Sequence, residues 1–264
     1  MEPDDMTRTI FTQTLKEQRR GLIGWSIALF AVPMMYVPGY STFAEQGVLD
    51  IEGGGIYDAM GLSDFASAAG YLNSTMYTLL GPMLLLIMAI SFGSRSAAQE
   101  ESGTLDLILA QPVGRTALIA QRFAALAVQV LVATAVFGVA ILIGAASGDL
   151  GVPAGNILAA TAALGLLALA FGALSQLAGA ATGKRGVAIA AAAVLAVVAY
   201  FANNLAVMSA DTERLRYASP FYYVTGGSPL TDGWQVGDLA VLTAIPLATT
   251  VVALACFNRR DLAV

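Results

Sequence analysis

Six separate runs of about twenty apolar residues leave this chain few ways to fold. They fall at roughly 22–40, 72–93, 118–146, 155–181, 187–208 and 237–257, and none carries a charged side chain away from its ends. A helix of that length rises about 30 Å, the thickness of a bilayer's hydrocarbon, and satisfies its own backbone hydrogen bonds while doing so. A water-soluble globule is excluded by composition. The chain is 57% hydrophobic and 12% charged, whereas soluble domains run near ~25% charged. The fold class expected is therefore an all-α membrane protein, six transmembrane helices forming one domain over residues 1–264. Pro33 and Pro38 in the first run predict a kink or an early exit there. The polar first 21 residues and the long run that follows predict a retained span rather than a cleaved signal peptide.

Basic residues orient the bundle, because short cytoplasmic loops collect Lys and Arg. Arg8, Lys16, Arg19 and Arg20 precede the first span, and Arg95, Arg115 and Arg122 follow the second. Lys184 and Arg185 follow the fourth, and Arg259 and Arg260 the sixth. The loop after the first span holds Glu45, Asp50, Glu52, Asp58 and Asp64 with no base, which reads as a solvated outer loop. Only Arg214 and Arg216 break the pattern, so both termini are expected in the cytoplasm. Residues 1–21 place Ile10, Phe11 and Leu15 on one helical face and basic groups near its end, which suits a short interfacial helix. Between spans five and six, Tyr217, Phe221, Tyr222, Tyr223 and Trp234 alternate with Pro220, Gly226, Gly227 and Pro229. Rings suited to headgroups, together with helix breakers, predict a re-entrant or interfacial hairpin.

Several kinds of chemistry lack their residues. There is no histidine and one cysteine, Cys256, so imidazole catalysis, disulfides within the chain and the usual zinc ligand sets are excluded. Proton- or sodium-coupled transport usually needs intramembrane charge or broken helices in repeated halves, and neither stands out. The nearest approach to a phosphate loop, Gly179 to Gly186, has Ala178 and Arg185 where Gly and Ser or Thr are required. No catalytic, cofactor-binding or metal residue is assigned, and any uphill work must draw its energy from another protein. Thr78, Gln129, Gln176, Asn203 and Asn204 are polar positions within spans. They are candidates for a substrate path, although helix-to-helix bonding is the simpler role. Gly165, Gly172 and Gly179 recur every seventh residue and form a groove for a close helix, in this chain or in a second one.

The segment between spans two and three, 94–117, is the most distinctive stretch outside the membrane. Leu105, Ile108 and Leu109 make one short apolar stripe, Thr104 suits an N-cap, and Asp106 sits in the first turn. Gly103 allows a sharp change of direction before the helix, and Pro112 ends it. A helix of about seven residues is barely stable alone in water, so it must lie against a surface. Glu100, Glu101 and Asp106 sit poorly against anionic lipid, which favours a protein partner.

The motif "EESGTLDLILAQPVGR" resembles the cytoplasmic loop of ABC-2 type permeases, the membrane subunits of ATP-binding cassette exporters. Glu100, Glu101, Gly103, Thr104, Leu105, Asp106, Leu107, Leu109, Pro112, Val113 and Arg115 carry the likeness, with Gly114 where the family often has Ser. Supporting stretches are Gly70 to Leu86, Ser219 to Leu230 and the terminal "FNRRDL". The resemblance implies that this segment is a coupling helix docking into an ATPase subunit. Its interface would comprise Glu100, Glu101, Gly103, Thr104, Leu105, Asp106, Ile108, Leu109, Pro112 and Arg115. It also implies a second permease copy, identical or related, with ATP and Mg bound only by the partner ATPase. The setting would be the inner membrane of a prokaryote, among its lipids and without nucleic acid. The cargo would be a drug, lipid, peptide or polymer. A scaffold subunit without a substrate path, or a secondary transporter or channel, are the alternatives.

Overall fold

A computed structural model describes residues 3–46, 67–105, 114–206 and 213–259. The first helix, α1 (Pro3–Tyr36), runs 34 residues without a break and contains Pro33. The separate interfacial helix expected over 1–21 is therefore continuous with the first span, since Gly21 and Gly24 weaken a helix without ending it. A 3₁₀ turn at Val37–Gly39, with Pro38 inside it, makes the early exit, and α2 (Tyr40–Glu45) follows.

The second span, α3 (Ala68–Gly93), changes geometry along its length. Ala68–Leu72 is α-helical with Ser67 as N-cap, Asn73–Leu80 is π-helical, and Gly81–Gly93 is α-helical again. The cause is in the sequence. Pro82 has no N–H for the Thr78 carbonyl, and its ring would strike that carbonyl in regular α geometry. Widening the preceding turns relieves the clash, and the Gly81 N–H accordingly bonds the Met76 carbonyl, five residues back.

Beyond α3 come α4 (Arg95–Glu101), α5 (Arg115–Ser147), α6 (Ala154–Thr182) and α7 (Arg185–Ala206). A 3₁₀ segment (Glu213–Ala218) and two one-turn helices, α8 (Tyr222–Thr225) and α9 (Pro229–Asp232), lead into α10 (Val236–Arg259). Among the described residues, six helices are long and apolar enough to cross a bilayer: Ile10–Thr42 within α1 and α2, then α3, α5, α6, α7 and α10. The last five lie within a few residues of the runs read from the sequence, whereas the first begins at Ile10, well before the expected start at 22, because α1 is continuous.

The centre of the bundle is α6, which touches α3, α5, α7 and α10 along its length. Of its apolar window, 72% is buried, against 11% for α7, so α7 is an outer wall. Small residues let α6 occupy that position. A Cβ on Gly165 would meet Thr134 at 2.7 Å, one on Gly172 would meet Ala89 and Leu126, and one on Gly179 would meet Ala97. The seven-residue glycine groove is thus filled from within the chain, by α5, α3 and α4. Opposite it, a Cβ on Gly93 would lie 2.2 Å from the Gly172 carbonyl oxygen, so α3 and α6 touch backbone to backbone there.

The bundle has two dissimilar ends. At one, Phe221, Val224 and Leu230 of the α8–α9 hairpin are buried in the main core, and the Asn156 amide donates to the Leu230 and Thr231 carbonyls at 3.0 Å each. Between spans five and six, where a re-entrant or interfacial hairpin was expected, the 3₁₀ segment packs on α7 and the two short helices on α6. At the other end, α4 and the beginnings of α5 and α7 meet the ends of α6 and α10. The acidic positions Asp50, Glu52, Asp58 and Asp64 lie outside the described residues.

Candidate functional site: the loop end of the bundle

The Ser94–Leu105 segment is held in place residue by residue. Gly103 adopts φ +68°, the left-handed turn expected of it, and Thr104 and Leu105 beyond it are helical. The amides that a Thr104 cap would serve, those of residues 106 and 107, lie outside the described residues, but other bonds of Thr104 are visible. Its hydroxyl donates to the Gln99 carbonyl at 3.2 Å and shares a 2.8 Å hydrogen bond with Ser102, folding the turn onto α4. Leu105 departs from its expected place on an outward stripe, being only 1% exposed. It lies in a small apolar cluster with Ile10 of α1, Leu118 and Ile119 of α5, Ala180 of α6, and Ala253 and Phe257 of α10. The stripe was read from i, i+3, i+4 spacing alone, and the turn at Gly103 directs its first member into this chain. Asp106, Ile108, Leu109 and Pro112 lie outside the described residues.

The two glutamates before the turn, Glu100 and Glu101, are the last residues of α4. A Glu101 carboxylate oxygen accepts the Arg185 backbone N–H at 3.0 Å, supplying negative charge to the N-terminus of the 22-residue α7. Upstream of Arg185, Gly183 ends α6 with φ +69°. The abortive phosphate-loop match is thus a helix–turn–helix corner, and the strand-to-helix turn of a true one is absent from these residues. Arg115 is the first residue of α5.

A polar network lies one layer deeper. Arg122, read from the sequence as a topology anchor, is 7% exposed. Its guanidinium donates to Ser96 Oγ at 2.6 Å and to Gln99 Oε1, both on α4. Gln99 Nε2 in turn donates to Glu17 of α1 at 3.2 Å, and Arg95 pairs with the same carboxylate oxygen at 3.2 Å. Two turns further along α5, Gln129 donates to Gln18 of α1 at 2.6 Å. Gln176 of α6 donates to the Ile119 carbonyl at 3.0 Å. The network therefore joins α1, α4, α5 and α6. The sequence signal was present but went unused: Arg122 and Gln129 are seven residues apart, on one helical face.

The five positions read as a substrate path are not brought together. Gln129 and Gln176 belong to this loop-end network. Thr78 lines an apolar cavity of about 310 Å³ between α3 and α7, with Leu86, Ile90, Ala196, Tyr200 and Phe221. Asn204 hydrogen-bonds the Tyr200 hydroxyl beside that cavity, and Asn203 donates to Asn204 at 3.3 Å. Three of the five thus cluster around the α3–α7 cavity and two around Arg122. Among the described residues, no group of three or more acidic, cysteine or histidine side chains could hold a metal ion.

Comparison with known proteins returned one informative result. A search of curated proteins found no match. The family model described as ABC-2 family transporter protein matches residues 8–262, nearly the whole chain, and so takes in the loop end, the hairpin and all six long helices. Members of that family are membrane transport subunits, not themselves catalytic. With the match spanning both ends of the bundle, the chain belongs to the ABC-2 family of transporter proteins, as a multi-pass membrane permease.

Proposed function

We propose that this permease is the membrane half of an ATP-driven exporter, moved by a separate ATPase that grips the loop between α3 and α5. The observation that supports this most is how the loop is tied down. Its approach, α4, bonds α1 through Gln99, α5 through Arg122 and α7 through Glu101, and Leu105 is packed among α1, α5, α6 and α10. A load applied beyond Leu105 therefore reaches five long helices at once, as a handle requires. Leu105 is covered by its own chain, so Ile108 and Leu109 are the apolar contacts left for the ATPase. Asp106, Glu100 and Arg115 would contribute charged contacts around them, and Pro112 would close the helix. ATP and Mg would bind the partner alone. The loop end carries the basic residues that follow spans two and four, which supports a cytoplasmic setting for it.

Export would require a second permease copy facing the first. The exposed apolar wall of α7, with Val194, Val197 and Phe201, offers such a face, and the α3–α7 cavity opens beside it. A cavity whose lining is almost wholly apolar, with the Thr78 hydroxyl inside, suits the greasy portion of a drug or lipid better than a sugar polymer. The setting would be a prokaryotic inner membrane.

The test is co-purification. Ile108→Asp combined with Leu109→Asp should leave the chain in the membrane while abolishing recovery of a bound ATPase. Full ATPase recovery with the double variant would refute the docking role.

A further inference from the structure

Arg122 is a strange residue to find where it is. It lies eight residues into α5, is almost wholly buried, and has no carboxylate as a direct hydrogen-bond partner among the described residues. Its two terminal nitrogens are committed to neutral groups of α4, Ser96 Oγ and Gln99 Oε1. Glu17, the acid beyond Gln99, is engaged by Arg95 and Gln99. Burying a guanidinium against neutral acceptors is costly, and a hydrophobic residue of similar volume commonly gives equal or better stability. Stability is thus a poor explanation for this arrangement, and geometric specificity is a better one. A planar fork that donates to two side chains one turn apart on α4 fixes both the rotation and the height of that helix.

Three further buried atoms point the same way. Arg122 Nε, Gln129 Oε1 and Gln176 Oε1 have no partner among the side chains and carbonyls around them. All three residues line one small cavity of about 10 Å³, the room needed by a single water, and a donor with two acceptors is the polar set that one water satisfies. The same cavity is lined by Gln18 and Ser96, so α1, α4, α5 and α6 converge on it.

We propose that Arg122 is the positioning residue of the loop, locking α4 to α5 and, through Gln99–Glu17 and Gln129–Gln18, to α1, so that displacement of the loop is passed to the bundle as one rigid movement. This rests on the exporter reading above. It assigns to Arg122 the fidelity of transmission, and leaves binding of the ATPase to the residues beyond Leu105.

The experiment uses the permease purified with its ATPase, in a Cys256→Ser background carrying Met83→Cys, a position exposed at the α3–α7 cavity. A maleimide reports access to that site with and without ATP plus vanadate. With Arg122 present, nucleotide should change the labelling rate about fivefold or more, the low end of ordinary coupling between sites. Arg122→Met should keep the ATPase bound, with the KM for ATP unchanged. It should speed amide exchange in α4 alone and reduce the nucleotide response to nearly none. Arg122→Lys keeps the charge but not the fork, and should restore only part of the response; it also serves if the Met variant is not recovered. A full nucleotide response in both variants would overturn the proposal while leaving the exporter reading intact. So would exchange that rises equally throughout the bundle, since that marks a merely structural role. Failure of the Arg122 protein itself to retain any ATPase would remove the exporter reading, and this one with it.

Discussion

Replacing Leu105 with Ala separates two descriptions of the loop that its sequence cannot distinguish. If Leu105 belonged to an outward stripe, the substitution would cost nothing until the ATPase docks. In the structure the side chain is 1% exposed among Ile10, Leu118, Ile119, Ala180, Ala253 and Phe257, so its truncation opens a void in the chain itself. Three carbon atoms leave the cluster, worth about 2–2.5 kcal/mol at ~0.8 kcal/mol each. The walls come from four long helices and can collapse only in part, which adds roughly 1–2 kcal/mol for the cavity. The total, about 3–4 kcal/mol, falls on a local unit, since the cluster stands apart from the main core. At 1.4 kcal/mol per tenfold, amide exchange should rise about 10²- to 10³-fold in α4 and in the adjoining ends of α5 and α10. The assay is hydrogen–deuterium exchange on the isolated permease in detergent, with no ATPase present. Ile27→Ala, on the exposed face of α1, is the control and should leave those segments unchanged. Unaltered exchange in α4 for Leu105→Ala, with loss of ATPase binding only, would refute the inward placement of Leu105.

Other contacts give equally direct outcomes. Gly93→Ala drives a methyl to 2.2 Å from the Gly172 carbonyl oxygen, a backbone atom that no rotamer change can move. It should force α3 from α6, disturb the Ser175 bond to the Ile90 carbonyl and cost about 1–3 kcal/mol or more, seen as reduced membrane yield and a lowered thermal midpoint. Asn156→Ala removes both hydrogen bonds to α9 and should cost about 1–3 kcal/mol, read as faster exchange confined to the 229–232 turn and its neighbours. Tyr77→Phe keeps the edge contact with Phe137 but loses the hydroxyl's 2.8 Å bond to Thr161, and should lower stability by about 1 kcal/mol in thermal unfolding.

The long helices were legible because their signal is redundant. About twenty consecutive apolar residues leave no other self-satisfied backbone in lipid, and a boundary error of a few residues changes little. Gly165, Gly172 and Gly179 announced close packing for a similar reason, since a missing side chain serves few other purposes at a regular spacing. Which helix fills the groove was not legible, because small residues state a distance and not a partner. Arg122 shows the opposite failure. An arginine near a span end is nearly always a solvated topology marker, and one residue gives no sign that Ser96 and Gln99, 26 and 23 positions earlier, fold over it. The substrate-path expectation treated polar residues in spans as one class, and the structure distributes them over two places. Gln129 and Thr78 are both hydrogen-bonding side chains within helices, yet one belongs to the loop end and the other to the α3–α7 cavity.

The fate of Leu105 also changes how the loop motif should be understood. Its conspicuous residues divide at Gly103, where the backbone turns through φ +68°. Gln99 and Glu101 on the near side face their own chain, committed to α1, α5 and the N-terminus of α7. Just beyond the turn, Thr104 bonds back onto α4 and Leu105 packs downward. A docking helix barely two turns long could not bury enough surface to be stable by itself. In the proposed exporter, anchoring Thr104 and Leu105 in the bundle would remove that difficulty, by fixing the residues from which such a helix starts. Such a segment resists bending where it meets the membrane domain, which is the mechanical property a coupling element needs. The described part of the motif, Glu101 to Leu105, therefore holds the bundle, and the proposed contact with a partner falls to the residues beyond it.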